Sequence, residues 1–252
     1  MKHLAVFASG RGTNFQAIVD HIKMGILQNV QASLLVTNIL NAPAANFADQ
    51  RSIPVSFIEG VYGRKFSNRE EREKARSEFD QKAMGILTQN RIDIVALAGF
   101  MQVLGPRIVD AYRLRIMNMH PAKDLSRFGG SGMFGDRVHA AVLRAGEKES
   151  GCTVHYVDNS VDGGPIIVQS TVPVEVGDTP ETLAHRILIH EHRTYSKAIQ
   201  LHVDGRIQVK DGRVSIDWSD NWEDQWNRRQ EAFILHQSEQ SRNQERLVQS
   251  SA

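Results

Sequence analysis

The sequence predicts an α/β protein with a doubly wound, mostly parallel but mixed sheet flanked by helices. Short runs rich in aliphatic and β-branched residues alternate with longer segments of helical periodicity. One run, 93–100, is almost unbroken apolar, which is typical of a central strand covered on both faces. Because alternation of this kind produces right-handed βαβ units, we expect helices on both faces of the sheet.

The individual elements follow from local patterns. The last long helix is predicted to begin after Thr179 as N-cap, with Pro180 in the first position, and to end near Gly205. A hairpin that turns at Asp211 and Gly212 follows it, and the segment after the hairpin is expected to lie outside the core. The predicted strands cover 3–9, 30–38, 53–59, 93–100, 115–121, 153–157 and 165–174, and the predicted helices cover 14–25, 42–52, 69–90 and 180–205.

Size and composition restrict the class of protein. The chain has 252 residues, of which 41% are apolar, and this is enough for a substantial core. Thirty basic and twenty-nine acidic residues give a net charge of +1, so overall charge favours neither nucleic acid nor a membrane surface. No apolar run approaches the roughly 18 residues of a membrane span, no signal peptide is recognisable, and Cys152 is the one cysteine. We expect a cytoplasmic monomer or homodimer that binds small molecules.

The stretch "SGRGTN" (9–14) is predicted to form a turn between the first strand and a helix. Glycine allows backbone N–H groups to approach an anion, and the helix adds its positive end, so Gly12, Thr13 and Asn14 are candidates for binding a phosphate. The dinucleotide-binding fingerprint is absent because Phe15 occupies the position of its third glycine, and the P-loop lysine is absent as well. A glycine turn without a ligand is the alternative.

Two further stretches carry candidate catalytic groups. In "NMHP", Asn118 and His120 alternate at the end of a predicted strand, so both face the same way at the edge where open α/β sheets bind ligands. An amide can stabilise an oxyanion, and an imidazole can also exchange protons. In "VDNSVDGGPII", Asp162 lies in a tight loop between two strands. The alternatives are hydrogen-bonded structural residues and an ordinary Asp-Gly turn.

A metal site is not expected from "HEH" (190–192). His190 and His192 are two residues apart and diverge by about 200° around a helix, so they cannot share a metal ion. Glu191, between them, is the more interesting side chain.

Together these stretches resemble the folate-dependent formyltransferases, most closely the members that formylate glycinamide ribonucleotide. The matching pieces are "SGRGTNFQAI", "VALAGFMQVL", "NMHP", "TVHYVDNSVDGGPIIVQ" and the helix with "HEH", in the family's order. The resemblance implies a formyltransferase-like, Rossmann-type catalytic domain over 1–207. Residues 208–252 then form a C-terminal extension, predicted to contain the hairpin and a helical, partly disordered segment.

The resemblance also implies roles for individual residues. Asn118, His120 and Asp162 match the catalytic trio, in which Asp162 is expected to keep His120 cationic and to accept the proton of the amine. The formyl donor is 10-formyltetrahydrofolate, and no metal is involved. The implied substrate-binding residues are Gly12, Thr13, Asn14, Arg69 and Glu191, and the implied folate-binding residues are Phe100, Met101, Gln102, Val103, Leu104, Val157, Asp158 and Val161.

One segment departs from the family pattern. After His-Pro the family has a serine or alanine, two leucines and a proline, whereas this chain has Ala122 and then "KDLSR" (Lys123–Arg127), which is charged and one residue longer. Two alternatives therefore stay open: a formyltransferase for another amine, such as an amino sugar nucleotide, and a folate- or nucleotide-binding homologue without catalysis. A tRNA-formylating enzyme is not expected, because about 45 residues after 207 are too few for its additional domain. Nor is a formyltetrahydrofolate hydrolase, since the chain begins at the first strand.

Overall fold

The computed structural model describes residues 1–232, and a seven-stranded sheet forms its centre. The strands are β1 (Lys2–Phe7), β2 (Val30–Thr37), β3 (Val55–Phe57), β4 (Ile94–Leu97), β5 (Ile116–His120), β6 (Glu149–Tyr156) and β7 (Ile166–Pro173). Their order in the sheet is β3-β2-β1-β4-β5-β6-β7, and the first five are parallel to one another. β6 is antiparallel to both of its neighbours. The predicted mixed sheet is confirmed.

Seven helices with complete bounds surround the sheet in the described part of the chain. They are α1 (Thr13–Lys23), α2 (Pro43–Gln50), α3 (Arg69–Gln89), α4 (Pro106–Ala111), α5 (Leu125–Phe128), α6 (Asp136–Arg144) and α7 (Pro180–Val203). The sequence patterns do not predict α4, α5 or α6, which are nine residues long or shorter. α4 and α5, with six and four residues, show too few turns for a hydrophobic period to be recognised.

The two faces of the sheet carry separate apolar cores, as a doubly wound fold requires. Along β1, Leu4 and Val6 pack in one core with side chains of α1, α6 and α7, whereas Ala5 and Phe7 pack in the other with side chains of α3 and α4. This is the period of two expected of a strand covered on both faces. The sheet is therefore buried, and its carboxyl edge is left to carry polar groups.

The ends of α7 confirm the predicted boundaries. Thr179 caps the helix through its side chain, which accepts from the Thr182 amide, and Pro180 occupies the first turn. The helix ends at Val203, and Gly205 follows with φ 69°. The predicted hairpin is formed by β8 (Ile207–Lys210) and β9 (Arg213–Ile216). Asp211 and Gly212 turn it with positive φ angles, as a tight hairpin requires.

The middle of α7 is attached to the sheet by Tyr195. Its buried hydroxyl lies 3.0 Å from the carbonyl oxygens of both Leu97 and Met117, on neighbouring strands β4 and β5. These carbonyls lie close to Asn118, so the tyrosine fixes the strand ends that carry polar side chains. Replacing Tyr195 with Phe leaves buried carbonyl groups without this donor.

We expect Tyr195→Phe to lower the free energy of unfolding by about 1–3 kcal/mol, the cost of leaving a buried polar group unsatisfied. Urea denaturation of both proteins measures it. Tyr62→Phe, at a tyrosine that is 46% exposed, is the matched control and should change the free energy of unfolding very little. Equal effects of the two substitutions would contradict the expectation.

The described part of the segment after the hairpin buries two tryptophans, so this part is not outside the core as predicted. Trp222 and Trp226 lie on a helical segment, 222–232, and are buried against Ile26 and Leu201 in a small third cluster. Their rings stack with centroids 5.7 Å apart, and the Trp222 indole donates to Asp204 at 2.6 Å. The spacing of four residues between these tryptophans places them on one helical face. The rest of the predicted extension, 233–252, lies outside the described residues.

Candidate active site

The structure brings Asn118, His120 and Asp162 together at the carboxyl edge of the sheet. Asn118 and His120 end β5 on the same face, as predicted. Asp162 lies on the loop between β6 and β7, with a left-handed φ of 56°. The Asn118 amide nitrogen is 3.3 Å from one Asp162 oxygen, and His120 Nδ1 is 3.4 Å from the other. An unusual backbone conformation at a convergent carboxylate is a feature of functional sites.

A second histidine, His155, belongs to this group and was missed by sequence reasoning. It lies on β6 directly opposite Asn118 in the antiparallel register. Its Nε2 is 3.2 Å from the Asn118 amide nitrogen and 3.6 Å from Asp162 Oδ1. The available signal was the alternation of Thr153 and His155 in "TVHYV". That alternation indicates a site residue only once β6 is known to pair with β5, because the pairing places His155 opposite Asn118.

The backbone at the end of α5 and just after it contacts the other side of the same group. His120 Nε2 lies 2.8 Å from the Phe128 carbonyl oxygen, and the Gly130 amide donates to Asp162 Oδ2 at 2.9 Å. Each ring nitrogen of His120 therefore faces an acceptor. When the ring is protonated, both of its N–H groups can donate to these acceptors. When the ring is neutral, only one nitrogen carries a hydrogen, so one of the two hydrogen bonds is lost.

The electrostatics of the pair differ from the sequence-based expectation. Burial lowers the pKa of His120, and the charge of Asp162 and the Phe128 carbonyl only partly offset this. Burial alone would raise the pKa of Asp162. The His155 imidazole 3.6 Å away, the charge of His120 and the hydrogen bond from the Gly130 amide outweigh that effect and hold the pKa of Asp162 below the usual range. The charge of Asp162 thus raises the pKa of His120, the expected direction, but desolvation of the imidazole is the larger effect.

A second polar group joins the start of α1 to α7. Gly12, with φ 69°, precedes α1, and a Cβ at this position would lie 2.7 Å from the Ala44 Cβ, so only glycine fits without displacement. The Asn14 amide donates to a Glu191 oxygen at 2.7 Å. Burial raises the pKa of Glu191, and the Asn14 hydrogen bond opposes it. The predicted phosphate loop and the helix glutamate are therefore in direct contact.

The segment after β4 is held against the first loop. The Ser9 hydroxyl accepts from the Met101 amide at 2.7 Å and donates to Asn38 at 2.6 Å. Gln102 is turned inward, where its side-chain oxygen accepts from the Val61 amide at 2.8 Å, and Leu104 is buried.

Apolar side chains are left exposed on this segment and on the loop before Asp162. Val103 is 48% exposed and Val161 is 40% exposed, whereas Phe100 packs edge-on against Phe7. In the same loop, Asp158 accepts a hydrogen bond from the Ser160 amide, and Val157 packs against the second core. An apolar rim beside backbone polar groups suits a flat heterocycle.

Within residues 1–232, the hydrogen bond and the ion pair that the structure shows for the Arg69 side chain lead to Glu73 and not to this region. Arg69 begins α3, its side chain is 90% exposed, and it forms an ion pair with Glu73 at 2.6 Å. That pair raises the pKa of Arg69, first through its hydrogen bond and then through charge.

Taken together, one carboxylate, two imidazoles and an amide converge at a sheet edge that also carries a glycine loop. This arrangement can stabilise charge on an oxygen and move a proton, the two requirements of acyl transfer to an amine. Over residues 1–232 there is no cluster of three or more His, Cys, Asp or Glu side chains placed to hold a metal ion. In the same range no helix has the length and hydropathy to cross a bilayer.

Known proteins that resemble this chain include formyltransferases. A model of the formyl transferase family matches residues 2–199. The phosphoribosylglycinamide formyltransferase of Arabidopsis thaliana chloroplasts is 36% identical over 215 residues, which cover 85% of this chain and 70% of that protein. The trifunctional purine biosynthetic protein adenosine-3 of Gallus gallus is 35% identical over 82% of this chain but only 19% of its own length.

A solved structure gives the same match. Glycinamide ribonucleotide transformylase 1 from Symbiobacterium toebii superimposes with a TM-score of 0.75 at 33% identity, covering 86% of this chain and 94% of that one.

Proposed function

Because this chain belongs to the formyl transferase family, we propose that it transfers the formyl group of 10-formyltetrahydrofolate to the amine of glycinamide ribonucleotide in purine biosynthesis. The relatives named for this reaction align over most of the chain. The observation that carries the proposal is the convergence of Asn118, His120 and Asp162 within hydrogen-bonding reach of one another. These are residue types suited to acyl transfer without a covalent enzyme intermediate.

The reaction needs donors for a developing negative charge. The amine attacks the formyl carbon, a tetrahedral intermediate forms, and the charge grows on the formyl oxygen. Asn118 and His120 are the donors proposed to stabilise that oxygen, and one such donor is worth about 3 kcal/mol of the barrier. The Asn118 amide donates to Asp162 and faces His155, so the formyl oxygen competes with these partners for its protons.

The proton lost by the amine goes to the His120–Asp162 pair. A carboxyl group with a lowered pKa is a weak base, and an imidazole with a lowered pKa is largely neutral at pH 7. His120 is therefore the better acceptor near neutral pH. Once it has taken the proton of the amine it is an imidazolium, which can donate to the formyl oxygen and which Asp162 stabilises. Because the two groups are coupled, their apparent pKa values belong to the pair.

The remaining residues bind the substrates. Gly12, Thr13 and Asn14 are proposed to hold the phosphate, and Glu191 the glycinamide part, with which it shares the Asn14 amide. Arg69 reaches a phosphate only after leaving Glu73. The pterin is proposed to lie between the segment Phe100–Leu104 and the loop Val157–Val161, where Val103 and Val161 provide apolar surface.

We further propose how the chain is divided into two parts and where the protein acts. Residues 1–207 form the catalytic part, and 208–252 form a C-terminal extension whose first helical turns pack on the body of the protein. The protein acts in the cytoplasm as a monomer or homodimer on small molecules.

A turnover assay tests the reaction. Purified protein is mixed with 10-formyltetrahydrofolate and glycinamide ribonucleotide, and the appearance of deformylated folate is followed. Turnover that depends on the amine is expected. Turnover with an amino sugar nucleotide in its place would assign a different acceptor, and folate binding without turnover on any amine would establish a homologue that has lost catalysis.

Glu191→Gln is expected to raise the KM for glycinamide ribonucleotide by about tenfold to a hundredfold, because a hydrogen bond to a charged group is worth about 1.5–3 kcal/mol. The KM for the folate should stay the same. Steady-state kinetics with each substrate varied in turn measure both values. The matched control is Glu181→Gln, at an exposed glutamate in the first turn of the same helix. A rise in the folate KM alone would contradict the assignment.

A further inference from the structure

The atypical segment "KDLSR" forms a short helix next to the proposed catalytic residues. Asp124 caps α5, because its Oδ1 accepts from the Ser126 amide at 3.0 Å and from the Arg127 amide at 3.3 Å. The same oxygen accepts from the Ser126 hydroxyl at 2.6 Å. Four residues are too few for a helix to be stable by itself in water. The conformation of α5 therefore depends on this cap and on contacts with the rest of the protein.

The charged side chains of Lys123 and Arg127 form ion pairs that attach the segment to neighbouring parts of the protein. Lys123 Nζ lies 3.1 Å from Glu149, at the start of β6, and an Arg127 guanidinium nitrogen lies 2.5 Å from Glu147. The Arg127 guanidinium also covers the Phe128 ring at 4.9 Å. Gln169 on β7 donates to the Lys123 carbonyl oxygen at 2.6 Å. The segment is thus tied to the start of β6, to β7 and to the turn after α6.

The inner side of the same segment supplies the backbone contacts to the catalytic pair. Phe128, the last residue of α5, is buried and presents its carbonyl oxygen to His120 Nε2. Two residues later the Gly130 amide donates to Asp162. Between them, the Gly129 amide donates to the Leu125 carbonyl, and a Cβ on Gly129 would lie 2.5 Å from that oxygen. A shift of α5 therefore moves both contacts together.

We infer that the segment Lys123–Arg127 positions the His120–Asp162 pair: Asp124 and Arg127 fix α5, and α5 fixes the Phe128 carbonyl and the Gly130 amide against the pair. Asp124 and Arg127 are positioning residues that do not touch the substrate. The inference rests on the proposed function, because the kcat measurements that test it follow the proposed formyl transfer. In this chain, the Asp124 cap and the ion pairs of Lys123 and Arg127 hold the loop in place.

The expected effect is on the geometry of the pair more than on global stability. The Arg127–Glu147 pair is partly exposed, and exposed ion pairs contribute little to the free energy of unfolding. Loss of a helix cap shifts a local equilibrium by about tenfold. A local opening of α5 of this size separates Phe128 and Gly130 from their partners while the sheet stays folded.

Asp124→Ala tests the cap, with Asp124→Asn as the conservative variant because its amide oxygen can still accept the two backbone N–H groups. We expect Asp124→Ala to lower kcat by up to about tenfold, the limit set by that shift of the local equilibrium, with KM within twofold of the wild type, and Asp124→Asn to restore most of the loss. The melting temperature should change by only a few degrees in either variant.

Histidine NMR gives a readout that a merely structural role would not move. The ring nitrogen resonances of His120 are identified by their absence in His120→Gln. They should shift in Asp124→Ala and return in Asp124→Asn. The charged and titratable groups around this ring are Asp162, His155 and His139. None of them is changed in these variants, so a shift reports the lost backbone contact.

The ion pair is tested by Arg127→Gln and by the exchange Arg127→Glu with Glu147→Arg. The single change should lower kcat several-fold, in proportion to the loss of one local contact, and the exchange should recover it. Glu223→Gln is the matched control, since it breaks a comparably short pair, with Lys197 at 2.6 Å, at the C-terminal end of the described chain. If Asp124→Ala does not fold, Arg127→Gln decides the question.

Unchanged kcat and unchanged His120 resonances in both Asp124→Ala and Arg127→Gln would overturn the inference. So would a fall in kcat that follows the melting temperature while the His120 resonances stay in place. If the wild type shows no turnover with any amine, the proposed function fails, but the NMR comparison still tests whether α5 positions the ring.

Discussion

Asp162→Asn is expected to lower kcat by about three orders of magnitude while the protein stays folded. The carboxylate lies 3.4 Å from His120 and 3.6 Å from His155, and it accepts the Asn118 and Gly130 N–H groups. An amide keeps the size of the side chain but cannot stabilise an imidazolium, so transfer of the amine proton to His120 becomes less favourable. The KM values should change less than kcat, because the loss arises in the transition state.

The substitution is measured by the same folate assay, together with NMR titration of His120. Removing the negative charge of Asp162 should lower the pKa of His120 further, because that charge is one of the influences that raise it. Asp211→Asn is the matched control, since Asp211 also has a positive φ but lies in the hairpin turn. A loss of less than about tenfold, or an unaltered His120 titration, would remove Asp162 from the mechanism.

Acid is expected to destabilise the protein strongly between pH 6.5 and pH 4. Burial, followed by the charges of His192 and Arg193, lowers the pKa of His21 to about 4. Burial, followed by the charges of Lys2 and Arg115, lowers the pKa of His202 to about 4 as well. In this range the unfolded chain binds more protons than the folded one, so stability rises with pH and is lost as pH falls. Each histidine accounts for about 3 kcal/mol at the acid limit.

Urea denaturation at several pH values between 7.5 and 4.5 measures this effect. His21→Gln and His202→Gln should each flatten the pH dependence by their share, even though His21 loses its contact with Ser196 and His202 its contact with Tyr156. His185→Gln, at an exposed position on α7, is the control substitution. A free energy of unfolding that does not vary with pH would show that these histidines titrate normally.

The parts of the fold that repeat over several residues could be predicted from sequence. The alternation along β5 was enough to place Asn118 and His120 on one face, and Thr179-Pro180 was enough to start α7. Both depend on interactions within a few residues of each other. The same applies to the hairpin, where Asp211 and Gly212 alone determine the turn.

The parts that depend on pairing between distant segments could not be predicted. His155 enters the site only through the antiparallel register of β6 with β5. The helix α5 is too short for a period, and its role depends on where Phe128 and Gly130 come to lie. The pKa of His120 depends on burial, which no local pattern supplies. Arg69 pairs with Glu73 four residues later in the same helix, and an assignment by resemblance does not detect this competing partner.

The tryptophan cluster determines what intrinsic fluorescence can report. All three tryptophans of the chain, Trp218, Trp222 and Trp226, lie in the segment that packs near the ends of α1 and α7. These helices start at the carboxyl edge of the sheet, so their ends lie towards the opposite edge from Asn118 and Asp162. Tryptophan emission therefore follows the detachment of the C-terminal helical segment and is insensitive to ligands at the site. An unfolding curve recorded by emission that precedes the one recorded by circular dichroism identifies that segment as a separately melting unit.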